Sequence, residues 1–232
     1  MRPSKLLAHT KYYVHRARYS GNGVHCPICE RSARRFAPHR GRPHARCVNC
    51  GSLERHRVLW LWLRERIPPH ARVLHVAPER GLSDRLQAMQ IDYLSVDIDS
   101  PFAMKRYDIT DIPESDASFD VVICNHVLEH IADDRRAMTE LRRVLKPGGL
   151  AVLQHPIHDR PDTFEDPNVV APEERLRVFG QEDHVRIYGW DMLDRLHAAG
   201  FERVETPEPC DEFSAADRKR FGLAPSPTVI AH

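Results

Sequence analysis

Beyond Pro68-Pro69 the sequence alternates short apolar runs with helix-like stretches, and that alternation restricts the fold more than any other feature. It is the pattern of a mostly parallel sheet with helices on both faces, a doubly wound α/β architecture. The run Phe119–Cys124 (FDVVIC) is nearly all apolar, as a strand covered on both faces must be. Strands are predicted at 72–76, 92–96 (ending at Asp97), 106–109, 119–124, 150–154 and 201–205, with 228–231 as a last edge strand. Helices are predicted at 83–89, 133–145 and 191–199. In the second of these Ala137, Leu141, Val144 and Leu145 line one side, and Lys146-Pro147-Gly148-Gly149 supplies the stop. Little chain separates Asp97 from the next strand, so the helix usual at that point is expected to be short or absent.

The N-terminal part is different. At 232 residues the chain has room for one ordinary domain and something smaller. Cys26-Pro27-Ile28-Cys29 and Cys47-Val48-Asn49-Cys50 form two C-x-x-C knuckles, with Gly51 after the second. Together they offer four thiolates to one tetrahedral ion, a closed soft-ligand set that suits a structural zinc. The alternative is two disulfides, which cytosolic thiols do not form. No signal-peptide core follows Met1-Arg2-Pro3-Ser4-Lys5, and the longest apolar run, 58–63, is too short to span a bilayer. A cytoplasmic protein with no membrane partner is expected. The overall charge of +1 hides a split. Residues 1–60 hold thirteen Lys/Arg against two Asp/Glu, +11, which leaves −10 for the rest. A basic head of this kind either docks on the acidic body of its own chain or meets an anionic partner.

The boundaries expected are a basic zinc-binding module at 1–51, a connecting helix and linker at 52–70, and a catalytic domain at 71–232. Ser52 is a plausible N-cap for the helix 53–67, which Pro68-Pro69 ends. Its middle, with Trp60 and Trp62 among leucines, is apolar on every side, so it is read as the joint between head and body.

In a doubly wound sheet, ligands bind beyond the carboxyl ends of the strands. After the first strand comes Ala77-Pro78-Glu79-Arg80-Gly81, after the second Asp97, after the third Asp108-Ile109-Thr110. After the fourth comes Asn125-His126 and after the fifth His155-Pro156-Ile157-His158. An acid about twenty residues beyond the first turn is where a ribose diol is held, and Asp97 occupies that place.

The run SFDVVICNHVLEHIADDRRAMTELRRVLKPGGLAVLQHP resembles the core of the class I methyltransferases that use S-adenosylmethionine, in their type 11 branch. The likeness extends in outline over 71–205, and over 228–231 if that is the family's antiparallel seventh strand. It implies a Rossmann-like, mostly parallel seven-stranded sheet and an S-adenosylmethionine cofactor. Aligned on the family's first motif, VLHVAPERG puts Ala77, Glu79 and Gly81 where three glycines stand, and His75 in place of the usual acid. S-adenosylmethionine carries no phosphate, so a loop with Ala77 for close approach and Glu79 near the cationic end can serve it. The alternative is a degenerate fold that binds no cofactor. By the resemblance Asp97 holds the ribose hydroxyls, Asp108 and Ile109 meet the adenine, and Asn125 and His126 floor the methionine end. Glu129 and His130 lie in the family's post-strand-four signature, and the alternative reading, which is preferred, is that they cap the next helix.

Methyl transfer needs alignment and sometimes a base. His126, His155, His158 and His184 are available, and His155, just after the fifth strand, is the first choice. The insertion 156–188 is read as a lid in which Arg186 holds an anionic acceptor while His184 or His155 takes its proton, with Tyr188 nearby; the alternative is a plain surface excursion. The leading reading is methyl transfer to an O or N atom of a small molecule. RNA is the other acceptor class, with Arg31, Arg34, Arg35, Arg40, Arg42 and Arg46 on phosphates, although Phe36 alone offers a stacking ring between the knuckles. A non-catalytic zinc-ribbon binding protein is the third reading. Oligomeric state is open.

Overall fold

The computed structural model describes residues 18–226 and 228–232, so the first seventeen residues of the expected 1–51 module lie outside the described residues. The chain divides into two compact units: Met1–Arg66 with Glu208–Ser226, and Ile67–Pro207 with Pro227–His232.

In the first unit, two short antiparallel hairpins carry the cysteine knuckles: β1 (Val24–Cys26) with β2 (Arg31–Ala33), and β3 (Ala37–His39) with β4 (Arg42–Arg46). Helix α1 (Glu54–Leu63) follows. As its all-round apolar middle demands, α1 is covered, but the cover is the late segment Glu208–Ser226. Val58 and Leu61 pack with Cys210 and Leu223, and Trp62 Nε1 donates to Glu212 at 2.8 Å. The sequence placed this segment in the domain 71–232; its apolar residues instead complete the small unit. Arg57 of α1 is fully buried. It donates to the carbonyls of Ala45 (3.1 Å), Ser52 (2.9 Å), Phe221 (2.8 Å) and Gly222 (2.7 Å) and lies 3.9 Å over the Phe36 ring. A Cβ at Gly222, where φ is +60°, would stand 2.3 Å from that ring, so only glycine closes the turn. Ser52 does not cap α1: the N-cap is Leu53.

The second unit is the sheet domain. Its strands are β5 (Arg72–Val76), β6 (Asp92–Asp97), β7 (Lys105–Arg106), β8 (Phe119–Cys124), β9 (Leu145–Leu153), β12 (Val204–Glu205) and β13 (Val229–Ala231). Their order is β12-β13-β9-β8-β5-β6-β7. β5, β6, β7, β8 and β9 are parallel, while β13 runs antiparallel between β9 and β12. The last strand is therefore interior, not an edge. Helices α2 (Arg80–Gln87), α3 (Asp134–Val144) and α5 (Met192–Ala198) complete the layers. A stretch without helix joins β6 to β7, as expected. Lys146-Pro147-Gly148-Gly149 does not separate helix from strand. It lies within β9, which pairs Leu145 with Phe119 and Leu150 with Val121, so the extra residues form a bulge. The core is mostly aliphatic, with Val76, Val96, Val122, Leu141 and Leu153 among its buried members beside Phe119 and Phe201. The insertion has structure of its own: β10 (Phe164–Glu165) pairs antiparallel with β11 (Arg186–Ile187), and α4 (Pro172–Phe179) lies between them. Among the described residues no helix is long and apolar enough to cross a membrane.

Candidate active site

β5 and β8 are neighbours in the sheet, and within two residues of each strand's end comes a left-handed backbone: Ala77 at φ +47° and His126 at φ +52°. A side chain there costs on the order of 1 kcal/mol, and such residues persist where the surroundings over-determine them, most often at functional sites. Between them sits Glu79, the N-cap of α2. The His75 ring, fully buried in β5, bonds Tyr93 Oη through Nδ1 at 2.9 Å and Glu79 Oε2 through Nε2 at 2.9 Å. Asn125 Nδ2 donates to Glu79 Oε1 at 3.4 Å. The buried histidine of β5 and Asn125 beyond β8 thus hold a carboxylate between them at the mouth of the sheet. Pro78 and Gly81 belong to the same turn, Gly81 already inside α2.

Asp97 ends β6, and its Oδ1 accepts the N–H groups of Asp99 and Ser100, each at 2.8 Å. These bonds fix the carboxylate at the sheet edge. Exposed Ile98, Phe102 and Met104 follow, with the Arg80 guanidinium 4.9 Å over the Phe102 ring. Asp108 lies exposed in the next turn, bonded to Thr110, while the Ile109 side chain is buried in the core. The Ile109 side chain is therefore not available to a ligand.

Beyond β8 the chain turns into a single 3₁₀ helix, Leu128–His130. Glu129 and His130 do not cap α3; Asp133 does, accepting from Arg136 N at 3.0 Å. Glu129 is 3% exposed, and its Oε1 lies 3.4 Å from His126 Nδ1. Burial pushes its pKa up, but hydrogen bonding from His126 and the nearby imidazoles outweigh this and hold it below the ordinary glutamate value. His155 is fully enclosed, its ring 5.0 Å from that of Tyr188, and burial pushes its pKa down to about 4 despite Glu129. Burial and the neighbouring His130 push His184 down as well. Among the described residues His126 Nε2, Glu129 Oε2, His184 Nε2 and both His155 ring nitrogens are buried without a hydrogen-bond partner. Orphaned polar atoms in such a group mark a place built for something else to bind. The strand-end argument stops at His126; Glu129 and His130 are flagged in the sequence only by the family's post-strand-four signature, Asn125-His126-Val127-Leu128-Glu129-His130.

The insertion folds back to these residues. Val185 N donates to Glu129 O at 3.0 Å, and His158 N to Tyr188 O at 2.9 Å. Arg186, expected to hold an acceptor, has another task. Its guanidinium donates to Leu128 O (2.8 Å), Ala132 O (2.9 Å), Ile131 O and Glu165 Oε2 (3.0 Å). Tyr188 Oη donates to Asp134 at 2.7 Å, and Arg195 joins Asp134 at 3.0 Å and Glu165 at 3.1 Å. Arg186 is a clamp for the turn after β8, with its donors already committed. His155 and His184 do come together with Glu129 and Tyr188, while the His158 side chain is exposed.

In the first unit the four cysteines converge. Cys26 and Cys50 sulfurs stand 3.7 Å apart and those of Cys29 and Cys47 3.8 Å, and all four lie within 4.8 Å of one another. Sulfurs about 2.3 Å from one tetrahedral ion stand about 3.8 Å apart, whereas a disulfide requires about 2.05 Å. Ser52, its Oγ 3.2 Å from both Cys26 and Cys50, braces this cluster.

Residues 66–153 match the family model described as a methyltransferase domain, type 11. A 46-residue stretch is 46% identical to a demethylmenaquinone methyltransferase of Clavibacter sepedonicus, covering 20% of this chain and 19% of that protein. The chain spans only 26% and 19% of the length of other curated relatives it matches. Among solved structures it is similar to the [4+2]-cyclase SpnF (TM-score 0.54, 17% identity, 76% of this chain and 80% of that one). It is also similar to the Burkholderia thailandensis 1,6-didemethyltoxoflavin-N1-methyltransferase solved with S-adenosylhomocysteine (TM-score 0.53, 15% identity, 76% of each chain). One of these is a cyclase and the other a methyltransferase, so the structural likeness carries the fold alone. Residues 66–153 thus match the type 11 methyltransferase domain, and the seven-stranded order with its antiparallel β13 gives the second unit the Rossmann-like methyltransferase fold, in a chain that also carries an N-terminal four-cysteine module.

Proposed function

We propose that the protein transfers a methyl group from S-adenosylmethionine to an oxygen or nitrogen of a small molecule. The observation that carries this is the Glu79 carboxylate, held from both sides by His75 and Asn125 beside the left-handed Ala77. It suits a cationic amino-acid end, which a phosphate-bearing dinucleotide lacks. Asp97, already fixed through Oδ1, takes the ribose hydroxyls on Oδ2, and the backbone at Asp108 and Ile109 meets the adenine. Asn125 and His126 floor the methionine end. When bound, the cofactor supplies an electrophilic methyl on a sulfonium. The chain's own work is to align the acceptor and accept its proton. His155, neutral at physiological pH because burial depresses its pKa, is in a state to accept one. The demethylmenaquinone methyltransferase relative supports an acceptor other than nucleic acid.

The basic face supports RNA as a second acceptor, since Arg31, Arg34, Arg35, Arg40, Arg42 and Arg46 are all exposed. The Phe36 ring, however, is buried beneath Arg57 and offers no stacking platform. The four cysteines hold a structural zinc in the same reading, since their spacing is that of a closed tetrahedral site.

Calorimetry with S-adenosylmethionine tests the central claim. Wild type binds, and Asp97→Ala weakens binding by about 2–3 kcal/mol through loss of charge-assisted hydrogen bonds. Absence of binding to wild type overturns the reading. Deuteromethyl-labelled cofactor incubated with separated metabolite and RNA fractions then shows where the label goes.

A further inference from the structure

Among the described residues there is a second group able to ligate a metal, far in sequence from the cysteines. It consists of Glu129, His130 and His184, with one ligand atom from each lying within 4.8 Å of the others. Glu129 and His184 are 3% and 7% exposed, and Glu129 Oε2 and His184 Nε2 are buried without a partner. Each such atom costs on the order of 1–3 kcal/mol if left unpaired. The His184 ring is held by a hydrogen bond to the Phe179 backbone, and Asp183 stands 3.2 Å from His130 Nδ1. Carbonyl and carboxylate contacts of this kind orient metal-bound imidazoles. The 3₁₀ turn presents Glu129 and His130, and the Val185–Glu129 backbone bond brings His184 onto them.

We propose that Glu129, His130 and His184 bind a divalent first-row transition metal, a site separate from the four cysteines. Two imidazoles and one carboxylate favour Mn²⁺, Fe²⁺, Co²⁺ or Ni²⁺ over Mg²⁺ or Ca²⁺, which take all-oxygen sets. Bonds of about 2.1 Å require the ligand atoms to close in slightly, which the His130 ring, 28% exposed, is free to do by rotation. Three protein ligands leave coordination positions open. The small pocket that Glu129 and His184 share with Pro156, His158, Phe179 and Tyr188 is where those positions would be filled. The ligand class there is an acceptor oxygen, a hydroxyl or enolate, and this last step rests on the methyl-transfer reading; the metal itself does not.

The test is Co²⁺ titration of the full-length, zinc-quantified protein, followed by visible absorption and equilibrium dialysis. One further equivalent is expected, with weak d–d bands and no thiolate-to-cobalt charge transfer. His184→Ala and Glu129→Gln should each weaken it at least tenfold while the zinc content stays at one. His130→Ala, at a partly exposed position that leaves the fold intact, should do the same and decides the matter if the buried variants melt early. No second equivalent up to about 100 μM Co²⁺, a charge-transfer band, or unchanged affinity in His130→Ala would each overturn the site. Calorimetry with S-adenosylmethionine on the same samples separates the two readings. Cofactor binding without cobalt leaves methyl transfer standing and removes the metal. Cobalt binding without cofactor does the reverse.

Discussion

By the resemblance to the class I methyltransferases, Glu79 stands in place of a glycine and His75 in place of an acid, and the His75 ring holds the Glu79 carboxylate at 2.9 Å. Glu79→Gln keeps the shape and removes the charge, so affinity for S-adenosylmethionine should fall by about 1–2 kcal/mol, the worth of a charge-assisted bond over a neutral one. S-adenosylhomocysteine has the same ammonium and should weaken in parallel by calorimetry; unchanged constants for both would remove Glu79 from the site. Ala77 makes a companion case. Its φ of +47° is available to glycine without strain, so Ala77→Gly should leave thermal stability within about 1 kcal/mol of wild type, and Ala77→Val should lose more than that. Equal melting temperatures for the two variants would contradict the backbone geometry. At this scale the sequence was legible in placement: Asp97, Asn125 and His126 stand at or just beyond the carboxyl ends of their strands, where the strand pattern puts them. It misled where a role depends on what the far chain delivers. Arg186 reads as an anion holder because it is a cation in a long polar insertion; only the fold shows four acceptors already waiting for it. Glu129 reads as a helix cap because an acid before a helix usually is one, and Asp133 turns out to hold that post.

Elements were legible in their type more than in their ends. An amphipathic pattern such as that of α3 survives any register error, but the change from α3 into β9 without a break is decided by pairing with β8, which lies outside local sequence. The late segment Glu208–Ser226 was harder still, since nothing in its composition says which apolar surface it covers. The last turns of α3 also carry a testable charge. Glu140, 3% exposed, accepts from Arg143 at 2.9 and 2.7 Å and from Ile112 N at 2.9 Å. The Arg143 guanidinium holds its pKa below the ordinary value of 4.5 in spite of burial. A depressed carboxyl contributes stability that is present above its unfolded pKa and lost as pH falls through the folded one. Wild-type unfolding free energy should therefore drop on acidification below about pH 4.5 more steeply than that of Glu140→Gln, which starts about 1–3 kcal/mol lower at pH 7. Parallel urea-denaturation curves for the two proteins from pH 7 to 3 would deny Glu140 this role.

For the whole molecule the consequential feature is that the first unit is built from two segments far apart in sequence, with Glu208–Ser226 passing through it between β12 and β13. Two things hold this unit together: the four-cysteine cluster and the buried guanidinium of Arg57. A zinc ion held by the four thiolates would carry a net charge of −2, and Arg57, whose hydrogen bonds go to carbonyls, is the buried cation beside the cluster. Each would offset the cost of burying the other, since an uncompensated buried charge costs several kcal/mol. A unit this small has little apolar area to fall back on, and structural zinc sites contribute their binding free energy to folding. Stripping zinc with a strong chelator under reducing conditions should therefore unfold this unit cooperatively. Trp60 and Trp62 are both buried in α1, whereas Trp190 of the second unit is already half-exposed, so the red shift in fluorescence reports the first unit. The sheet domain has its own core, and freeing the segment between β12 and β13 lengthens a surface connection, which costs little because loop entropy grows slowly with length. S-adenosylmethionine affinity should accordingly stay within about threefold of the zinc-loaded protein while the tryptophan signal changes fully, and Arg57→Met should reproduce the same separation at full zinc occupancy or lose the metal as well. Loss of cofactor binding in step with the fluorescence change would mean that the two units fold as one, and an unchanged tryptophan spectrum after complete metal removal would mean that the cysteine cluster is not what holds the first.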